Sequence, residues 1–258
     1  TYVRAHLGKG QVRKTLGDSD GARAHYYTAA RAARSLSGEK WLAAQTQHDL
    51  LGLAAEAGAF TAALKHARQA LEWYPRHHAS LPALAHDLGF LLVRMHEFSL
   101  AVPLLATAVP LLPEKEQVIG WSTVARAAAG ANDEEGYRRA TENTLRLVGL
   151  FDFYAAAAFA NLACGACRLE HWLEAEQYAM RSLEVSERRP EAEAIAVARS
   201  VLTNVRARNR SRLDAPLDQH YVAEAIALRT ELIAYLAAWR GSTWKRKRQS
   251  GREQLDPI

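Results

Sequence analysis

The stretch from Leu84 to Pro113, which reads LAHDLGFLLVRMHEFSLAVPLLATAVPLLP, restricts most strongly what this chain can fold into. Its marker residues are Leu88, Gly89, Ala101, Leu105, Ala108 and Pro113. The two Ala residues and the Leu between them are spaced four and three apart, and residues with this spacing lie on one face of a helix. The stretch therefore predicts a hairpin of two helices, with the aromatic and polar break MHEF between them.

The same arrangement recurs in five segments along the chain. We place these segments at about Tyr2 to Ser37, Glu39 to Pro75, Leu84 to Pro113, Glu114 to Leu150 and Phe151 to Arg189. The small residues that mark the second helix of each segment are Ala22, Ala63, Ala101, Gly136 and Ala175, which are 41, 38, 35 and 39 positions apart. Self-similarity at such a period is typical of repeat architectures. The fourth segment matches least well, because Gly136 and Asn143 stand where the other segments have Ala.

The order of Leu-Gly, Ala, a large residue, Ala and Pro resembles the tetratricopeptide repeat (TPR). The resemblance covers residues 3–189 and implies an all-α fold, a right-handed superhelical array of helix hairpins (a TPR-like α-solenoid) with a C-terminal capping helix. The repeats here are longer than the roughly 34 residues of the plain family repeat. Such stretched repeats resemble those of bacterial regulatory proteins, in which an array senses a ligand and is fused to an output domain.

Local signals predict where several helices begin and end. The run Gly17 to Asp20 predicts the N-cap of a second helix, and Asn132 with Glu135 predicts a capping box. Proline removes a backbone donor and clashes with the preceding turn of a helix. We therefore expect Pro110 to kink or end its helix, whereas Pro103 should be tolerated in a first turn.

The C-terminal part of the chain is organised differently. After Pro190 the pattern predicts a helix to about Asn209, a polar linker, and a last helix from about Asp218 to Trp239 that would cap the array. From Gly241 onward the sequence predicts a basic, irregular tail. The predicted organisation is thus 1–189 for five hairpins, 190–240 for the terminal helices and cap, and 241–258 for the tail.

Composition restricts the class of protein further. No apolar run approaches the length of a membrane span, and no basic-then-apolar leader opens the chain. Two cysteines do not make a disulfide framework, which favours a cytoplasmic location. The first residue is Thr rather than Met, which indicates a fragment or processed chain. The net charge of +5 is concentrated from Pro190 onward, where 12 Lys and Arg oppose 8 Asp and Glu to give +4.

The resemblance implies a concave groove, lined by the first helix of each hairpin, in which family members bind extended peptides or ligands. The residues that we expect on this face are His48, Asp49, His86, Asp87, Phe90, Arg94, Trp121, Ser122, Asn161 and Arg168. The triplet His-Asp-Leu occurs twice, 38 residues apart, which predicts two His-Asp pairs side by side in the groove. Such a ladder could hydrogen-bond a peptide or a polar head group, with Arg94 and Arg168 for a carboxylate. The other interpretation is structural, since Asp or Asn at this position often bonds neighbouring helices.

Catalysis, metal binding and cofactor binding have little support in the sequence. Neighbouring residues in a helix point about 100 degrees apart, so adjacent His and Asp should not orient each other as in a catalytic triad. No HExxH, Gly-rich phosphate loop or GxSxG motif is present. Cys164 and Cys167 have redox spacing but lie inside a predicted helix, which favours helix packing over chemistry. We therefore expect no enzyme, no metal and no cofactor.

The sequence predicts a non-catalytic module that binds a protein or peptide in its groove, as the sensor or scaffold part of a larger bacterial regulatory protein, with transcription regulation as one such role. Two alternatives stay open: a static assembly scaffold, and a nucleic-acid-associated regulator that uses its basic C-terminal end. The residues for nucleic-acid contact would be Arg206, Arg208, Arg210, Arg212, Lys245, Arg246, Lys247 and Arg248. No membrane partner is expected. The oligomeric state stays open, a homodimer included.

Overall fold

The chain is all-helical in the part that the structure describes. A computed structural model describes residues 2–35, 40–209 and 222–252, the last of these by backbone alone from residue 239. These residues form twelve α-helices and two short 3-10 helices, with no strand among them. The α-helices are α1 Tyr2–Thr15, α2 Ser19–Arg34, α3 Lys40–Glu56, α4 Phe60–Trp73, α5 Leu81–Arg94, α6 Phe98–Ala108, α7 Gln117–Gly130, α8 Glu134–Val148, α9 Ala155–Arg168, α10 Trp172–Arg188, α11 Ala192–Ala207 and α12 Val222–Arg252.

The five predicted hairpins correspond to the five helix pairs from α1 and α2 to α9 and α10, and the helices of each pair pack together. Their marker residues are fully buried at Ala22, Ala63, Ala101 and Ala175. Small residues are needed because the helices approach closely. A Cβ added at Gly89 of α5 would lie 2.5 Å from a methyl of Leu105 in α6, and one at Gly165 of α9 would lie 2.8 Å from the Tyr137 ring.

One backbone turn is repeated in all five hairpins. The residue that closes each first helix is left-handed, with φ of 83° at Gly17, 70° at Gly58, 61° at His96, 58° at Asn132 and 63° at Glu170. The next residue donates its N–H to the carbonyl five positions back, at 2.8–2.9 Å in every case. The left-handed residue itself donates to the carbonyl three positions back. This pair of bonds is the Schellman motif, and its repetition starts each second helix from the same geometry.

The first helices lie beside one another in chain order. α3 contacts α5, α5 contacts α7, α7 contacts α9 and α9 contacts α11. At one end, the start of α11 reaches the turn of the first hairpin, where a Cβ on Gly17 would lie 2.9 Å from that of Ala192. The side chains of α3, α5, α7 and α9 therefore face each other across successive hairpins, and this arrangement positions the site described below.

The last helix differs from its predicted place and length. α12 packs against α4, α5 and α6 through the buried residues Ala225, Leu228, Leu232 and Leu236. Ion pairs from Arg68 on α4 to Glu224 and Glu231 fix it there, at 2.9 and 2.6 Å. Its backbone stays helical to Arg252, past Gly241, where the sequence predicted an irregular tail. In the described part of the chain, no helix is long and apolar enough to cross a membrane.

Of the four local signals for helix ends, two are confirmed and two are not. Asp18 caps α2 by accepting the N–H of Gly21 at 2.9 Å, and Pro110 lies in a 3-10 turn that ends α6. The cap of α8 is Asp133 rather than Asn132, because Asn132 occupies the left-handed turn position that precedes it. Pro103 lies beyond the first turn, as the sixth residue of α6, so its missing N–H falls inside that helix.

The repeated turn gives a test of what holds each hairpin. Substituting Gly58→Ala should lower the free energy of unfolding by about 1 kcal/mol, because a side chain resists the left-handed backbone although the space around it is open. Gly8→Ala is the matched control, since Gly8 is helical, exposed and equally open. That control should raise the free energy of unfolding by about 0.5–1 kcal/mol. Urea denaturation of both variants checks the prediction. A change in the free energy of unfolding that has the same sign in both variants would contradict it.

Candidate functional site

A line of hydrogen-bonded polar side chains crosses α3, α5, α7 and α9, and we call it the polar ladder. Its members are His48, His86, Asp87, Ser122, Thr123 and Asn161. One contact between each pair of neighbouring helices follows a common register. On the earlier helix the residue stands ten positions before its left-handed turn residue, and on the later helix its partner stands nine positions before. Thus His48 bonds Asp87, His86 bonds Thr123, and Ser122 bonds Asn161. The ladder is a direct product of the repeated turn, which sets the register of the first helices.

Asp87 is the centre of the ladder. Its two carboxylate oxygens lie 2.9 Å from His48 Nε2 and 2.9 Å from His86 Nδ1. An ionised carboxylate only accepts, so both imidazoles donate an N–H to it. The imidazole side chains are 6% and 10% exposed, whereas 37% of the Asp87 side chain stays exposed. The carboxylate is therefore held from beneath and open on its remaining side.

Electrostatics at this centre favour the charged forms. Burial alone would raise the pKa of Asp87, but the hydrogen bonds and charges of His48 and His86 outweigh it and lower the pKa. Burial would likewise lower the pKa of His48, and the hydrogen bond and charge of Asp87 outweigh it and raise the pKa. The His48–Asp87 contact is therefore an ion pair when the imidazole is protonated.

The far half of the ladder is closed to solvent. His86 Nε2 lies 3.2 Å from Thr123 Oγ1, and Asn161 donates to Ser122 at 3.2 Å and to Thr123 at 3.4 Å. Arg126 donates to the Asn161 oxygen at 3.2 Å. Asp87, His86 and Thr123 follow the acid, imidazole and hydroxyl order of a hydrolytic triad. However, the Thr123 hydroxyl is fully buried and donates to the Ile119 carbonyl at 2.8 Å, so a substrate does not reach it.

The near end of the ladder continues through a tyrosine and a glutamine. Tyr74 lies 3.3 Å from His48 Nδ1 and donates its hydroxyl to Gln45 at 3.0 Å. The Gln45 amide in turn donates to Asp49 at 3.5 Å. Burial raises the pKa of Asp49 to about 6, and the charges of His48 and Lys14 only partly oppose that rise. Asp49 is partly exposed, as Asp87 is.

A group of charged residues borders this end where the start of α11 meets α3 and α5. Lys14 pairs with Glu56 at 2.7 Å, and Arg94 donates to the Glu56 carbonyl at 3.0 Å. Arg94 also lies 3.7 Å from Glu193, at the start of α11. Burial raises the pKa of Glu56, and Glu193 adds to the rise while Lys14 opposes it. Ion pairs and a hydrogen bond within the chain thus connect the ends of α1, α3 and α5 with the start of α11.

The structure corrects the predicted pairing of the histidines. Both imidazoles meet at one carboxylate, Asp87, instead of forming two parallel His-Asp pairs. Contrary to the sequence prediction, the adjacent His86 and Asp87 do orient each other. Their side chains meet at 2.9 Å because rotation about the side-chain bonds compensates for the angle between the two residues on the helix. His48 instead reaches across to the next helix.

The remaining predicted groove residues have separate surroundings. Phe90 follows Asp87 by three positions, so it shares that face of α5, and it is half-buried. Trp121 packs in an apolar cluster with Val118 and Leu147 instead. Arg94 is engaged with Glu56 and Glu193, and the Arg168 guanidinium lies 4.4 Å from the Phe98 ring centre.

The basic residues proposed for nucleic-acid contact are only partly described. Arg206 and Arg208 are exposed at the end of α11, and Arg208 is itself left-handed. Arg210 and Arg212 lie outside the described residues. Lys245, Arg246, Lys247 and Arg248 fall within the backbone of α12, and their side chains lie outside the described part.

The two cysteines are buried side chains of α9 with free thiols. Burial raises the pKa of Cys167 to about 11, the opposite of what a reactive thiol needs. Their position supports the packing interpretation. Within the described ranges, no three His, Cys, Asp or Glu side chains are grouped so as to hold a metal ion.

Sequence reasoning missed Tyr74, Gln45, Thr123 and Arg126 as members of this network. Thr123 carried a usable signal, because it stands at the same distance before its turn as Asp87 and Asn161 do.

Comparison with known proteins identifies no relative: no protein-family model matches the chain, and no curated protein matches it significantly.

The ladder centre predicts a specific pH dependence. Substituting Asp87→Asn should lower the free energy of unfolding by about 2 kcal/mol, a value reduced for the exposure of the carboxylate. The pKa of Asp87 is lower in the folded chain than its usual value of 3.8. Its contribution to the free energy of unfolding is therefore fully present above pH 3.8 and is lost as the pH falls toward and through the folded pKa. The pKa of His48 is higher in the folded chain than its usual value of 6.5. Its contribution to the free energy of unfolding is fully present below pH 6.5 and is lost as the pH rises through the folded pKa.

The difference between parent and Asp87→Asn should therefore be largest near pH 5 and smaller at about pH 8 and about pH 3. Urea denaturation at these three pH values measures it. Asp152→Asn, at an exposed position, is the control and should show little change. A difference that stays constant across pH would contradict the ionic character of the ladder centre.

Proposed function

We propose that the chain is a TPR-like superhelical array that acts as a non-catalytic binding module, with a protein or peptide held on the face of the polar ladder. The observation that carries the proposal is the polar ladder itself. It joins polar side chains from four successive hairpins in one line, and its Asp87 carboxylate remains partly open to solvent. Repeat arrays of stacked hairpins commonly use such a surface for binding.

The open portion offers chemistry suited to an extended peptide. Each carboxylate oxygen of Asp87 accepts one N–H from an imidazole, which leaves further lone pairs for a ligand donor such as a peptide N–H. Phe90, one turn further along α5, supplies apolar surface beside it. The buried imidazoles fix the position of the carboxylate before a ligand arrives, which reduces the ordering cost of binding.

The contact between α11 and the first hairpins supports a mechanism of groove closure. Glu193 and Ala192, at the start of α11, touch Arg94 and the turn at Gly17, which are far away in the chain. In a repeat array, small rotations between neighbours accumulate along its length. A ligand that prefers one spacing of these ends would shift the population and relay its presence to an output domain of a larger bacterial regulatory protein.

A nucleic-acid-associated role is the second candidate. Arg206 and Arg208 are exposed at the end of α11, and they make that part of the surface basic. The two functions differ in salt dependence. Contacts to phosphates weaken steeply as salt rises, through release of counterions. Recognition on the ladder face should depend on salt only weakly.

Affinity capture from the source cells tests the proposal with matched variants. Phe90→Ala should reduce the captured partner at least tenfold by removing apolar surface at the ladder face, an order of magnitude expected for a contact worth about 1.4 kcal/mol. Phe60→Ala is the control, since Phe60 is also half-buried but opens α4. Both variants should first be matched for stability by urea denaturation.

Equal capture by the two variants would contradict binding at the ladder face. A partner that is lost after nuclease treatment, or that is released steeply by salt, would support the nucleic-acid alternative instead.

A further inference from the structure

Asp49 is an exception among the charged residues at the open end of the ladder. Its neighbours there are paired: Lys14 with Glu56 at 2.7 Å, Arg94 with Glu193 at 3.7 Å, and Asp87 with two imidazoles at 2.9 Å. Among the described residues, Asp49 has no ion-pair partner, and its hydrogen bond is the 3.5 Å contact from the neutral Gln45 amide. Among the described carboxylates at this end, Asp49 is thus the one that no Lys, Arg or His side chain pairs.

The register of the ladder explains why Asp49 lacks a partner. Every other member at this position bonds the side chain ten residues before the preceding turn, which is His48 for Asp87 and Ser122 for Asn161. For Asp49 the preceding turn is Gly17, and the residue ten positions before it is Leu7. The leucine side chain has no hydrogen-bond donor, so the first hairpin provides no side-chain donor for the carboxylate of the second.

The carboxylate is nevertheless held in a defined direction. Tyr74 donates to the Gln45 oxygen at 3.0 Å, and this bond turns the Gln45 amide toward Asp49. His48, the adjacent residue, points away to Asp87. Lys14 passes close to Gly52 to reach Glu56, where a Cβ on Gly52 would lie 3.2 Å from its Nζ. The nearest ammonium group is therefore occupied.

Burying a carboxylate without a cation destabilises a fold, and such groups are usually paired or serve a site. The raised pKa of Asp49, to about 6, reports that cost. The side chain remains partly exposed, so a ligand can reach it. A metal ion needs several ligands, and no group of three His, Cys, Asp or Glu is placed to bind one in the described part of the chain.

We propose that Asp49 binds a cationic group of the ligand on the ladder face, an ammonium or guanidinium such as a Lys or Arg side chain of a peptide. The pairing would complete the one open position of the ladder, with the Asp87 carboxylate and Phe90 contacting the ligand further along. This inference rests on the proposed function, which it refines from any peptide to a basic one.

Peptide titration tests the assignment directly. The probes are the acetylated, amidated tripeptides Ala-Lys-Ala and Ala-Arg-Ala, with Ala-norleucine-Ala as the uncharged match, titrated by NMR at low ionic strength. The charged peptides should bind the parent chain at least tenfold more tightly than the norleucine peptide. Asp49→Asn should abolish that preference, while the exposed control Asp152→Asn should keep it.

Two further variants separate the possible failures. Leu7→His supplies the donor that the first hairpin lacks, so it should compete for Asp49 and weaken binding of the charged peptides without altering the carboxylate. Phe90→Ala should weaken all three peptides alike. If the norleucine peptide binds as tightly as the charged ones, or if Asp49→Asn keeps the preference, the assignment of Asp49 is wrong while peptide binding on the face stands. If no probe binds the parent, the assignment is overturned.

Stability supplies a readout that needs no ligand. The folded pKa of Asp49, about 6, lies above its usual value of 3.8. Ionisation of Asp49 therefore destabilises the fold increasingly as the pH rises from about 3.8 to about 6, and the full effect is present above that. Asp49→Asn should therefore raise Tm by about 2–4 °C near pH 8 and leave it nearly unchanged near pH 4. The titratable groups that interact with Asp49 are Lys14 on α1, Tyr26 on α2, His48 on α3, Tyr74 at the end of α4 and Asp87 on α5. Behind Lys14 lie its partner Glu56 and Glu193 of α11. These groups are present in both the parent chain and the Asp49→Asn variant. A variant with a lower Tm than the parent near pH 8 would overturn the assignment of Asp49.

Discussion

Each hairpin depends on a backbone N–H that reaches back five residues to the last turn of its first helix, at 2.8–2.9 Å. This bond requires a left-handed residue before it, which glycine supplies at no steric cost in the first two hairpins. His96, Asn132 and Glu170 adopt the same conformation with a side chain present, so surrounding contacts hold them there. Because the turn is identical five times, the first helices have a common register, and the cross-helix contacts of the ladder follow from it.

The polar ladder shows how a repeated fold can carry polar groups inside a helix interface. An imidazole or amide buried between helices destabilises the fold unless its hydrogen bonds are made. The contacts of His48, His86 and Asn161 meet that requirement with partners from the neighbouring hairpin. These bonds also select one register, since a shifted helix would leave the same groups unsatisfied. Stability and a defined surface therefore come from the same side chains.

Helix positions could be predicted from the sequence because their signals are local: spaced Ala residues, the cap at Asp18 and the break at Pro110. The ladder could not, since the partner of His48 is 39 residues away and depends on helix register. At Asn132 two local preferences compete, and the left-handed turn prevails over capping. The apolar stripe from Ala225 to Leu236 predicts a buried face on α12 but not the helices that cover it.

Asp49 and Asp87 show why identical triplets need not have identical roles. Both follow a histidine and precede a leucine, and both stand nine residues before a left-handed turn residue. Their difference originates one hairpin earlier, where His48 serves Asp87 and Leu7 cannot serve Asp49. The residue that decides the chemistry of this position thus lies one hairpin earlier in the chain. Leu7 therefore leaves the open position of the ladder in the second hairpin, near the contact between the first hairpins and α11.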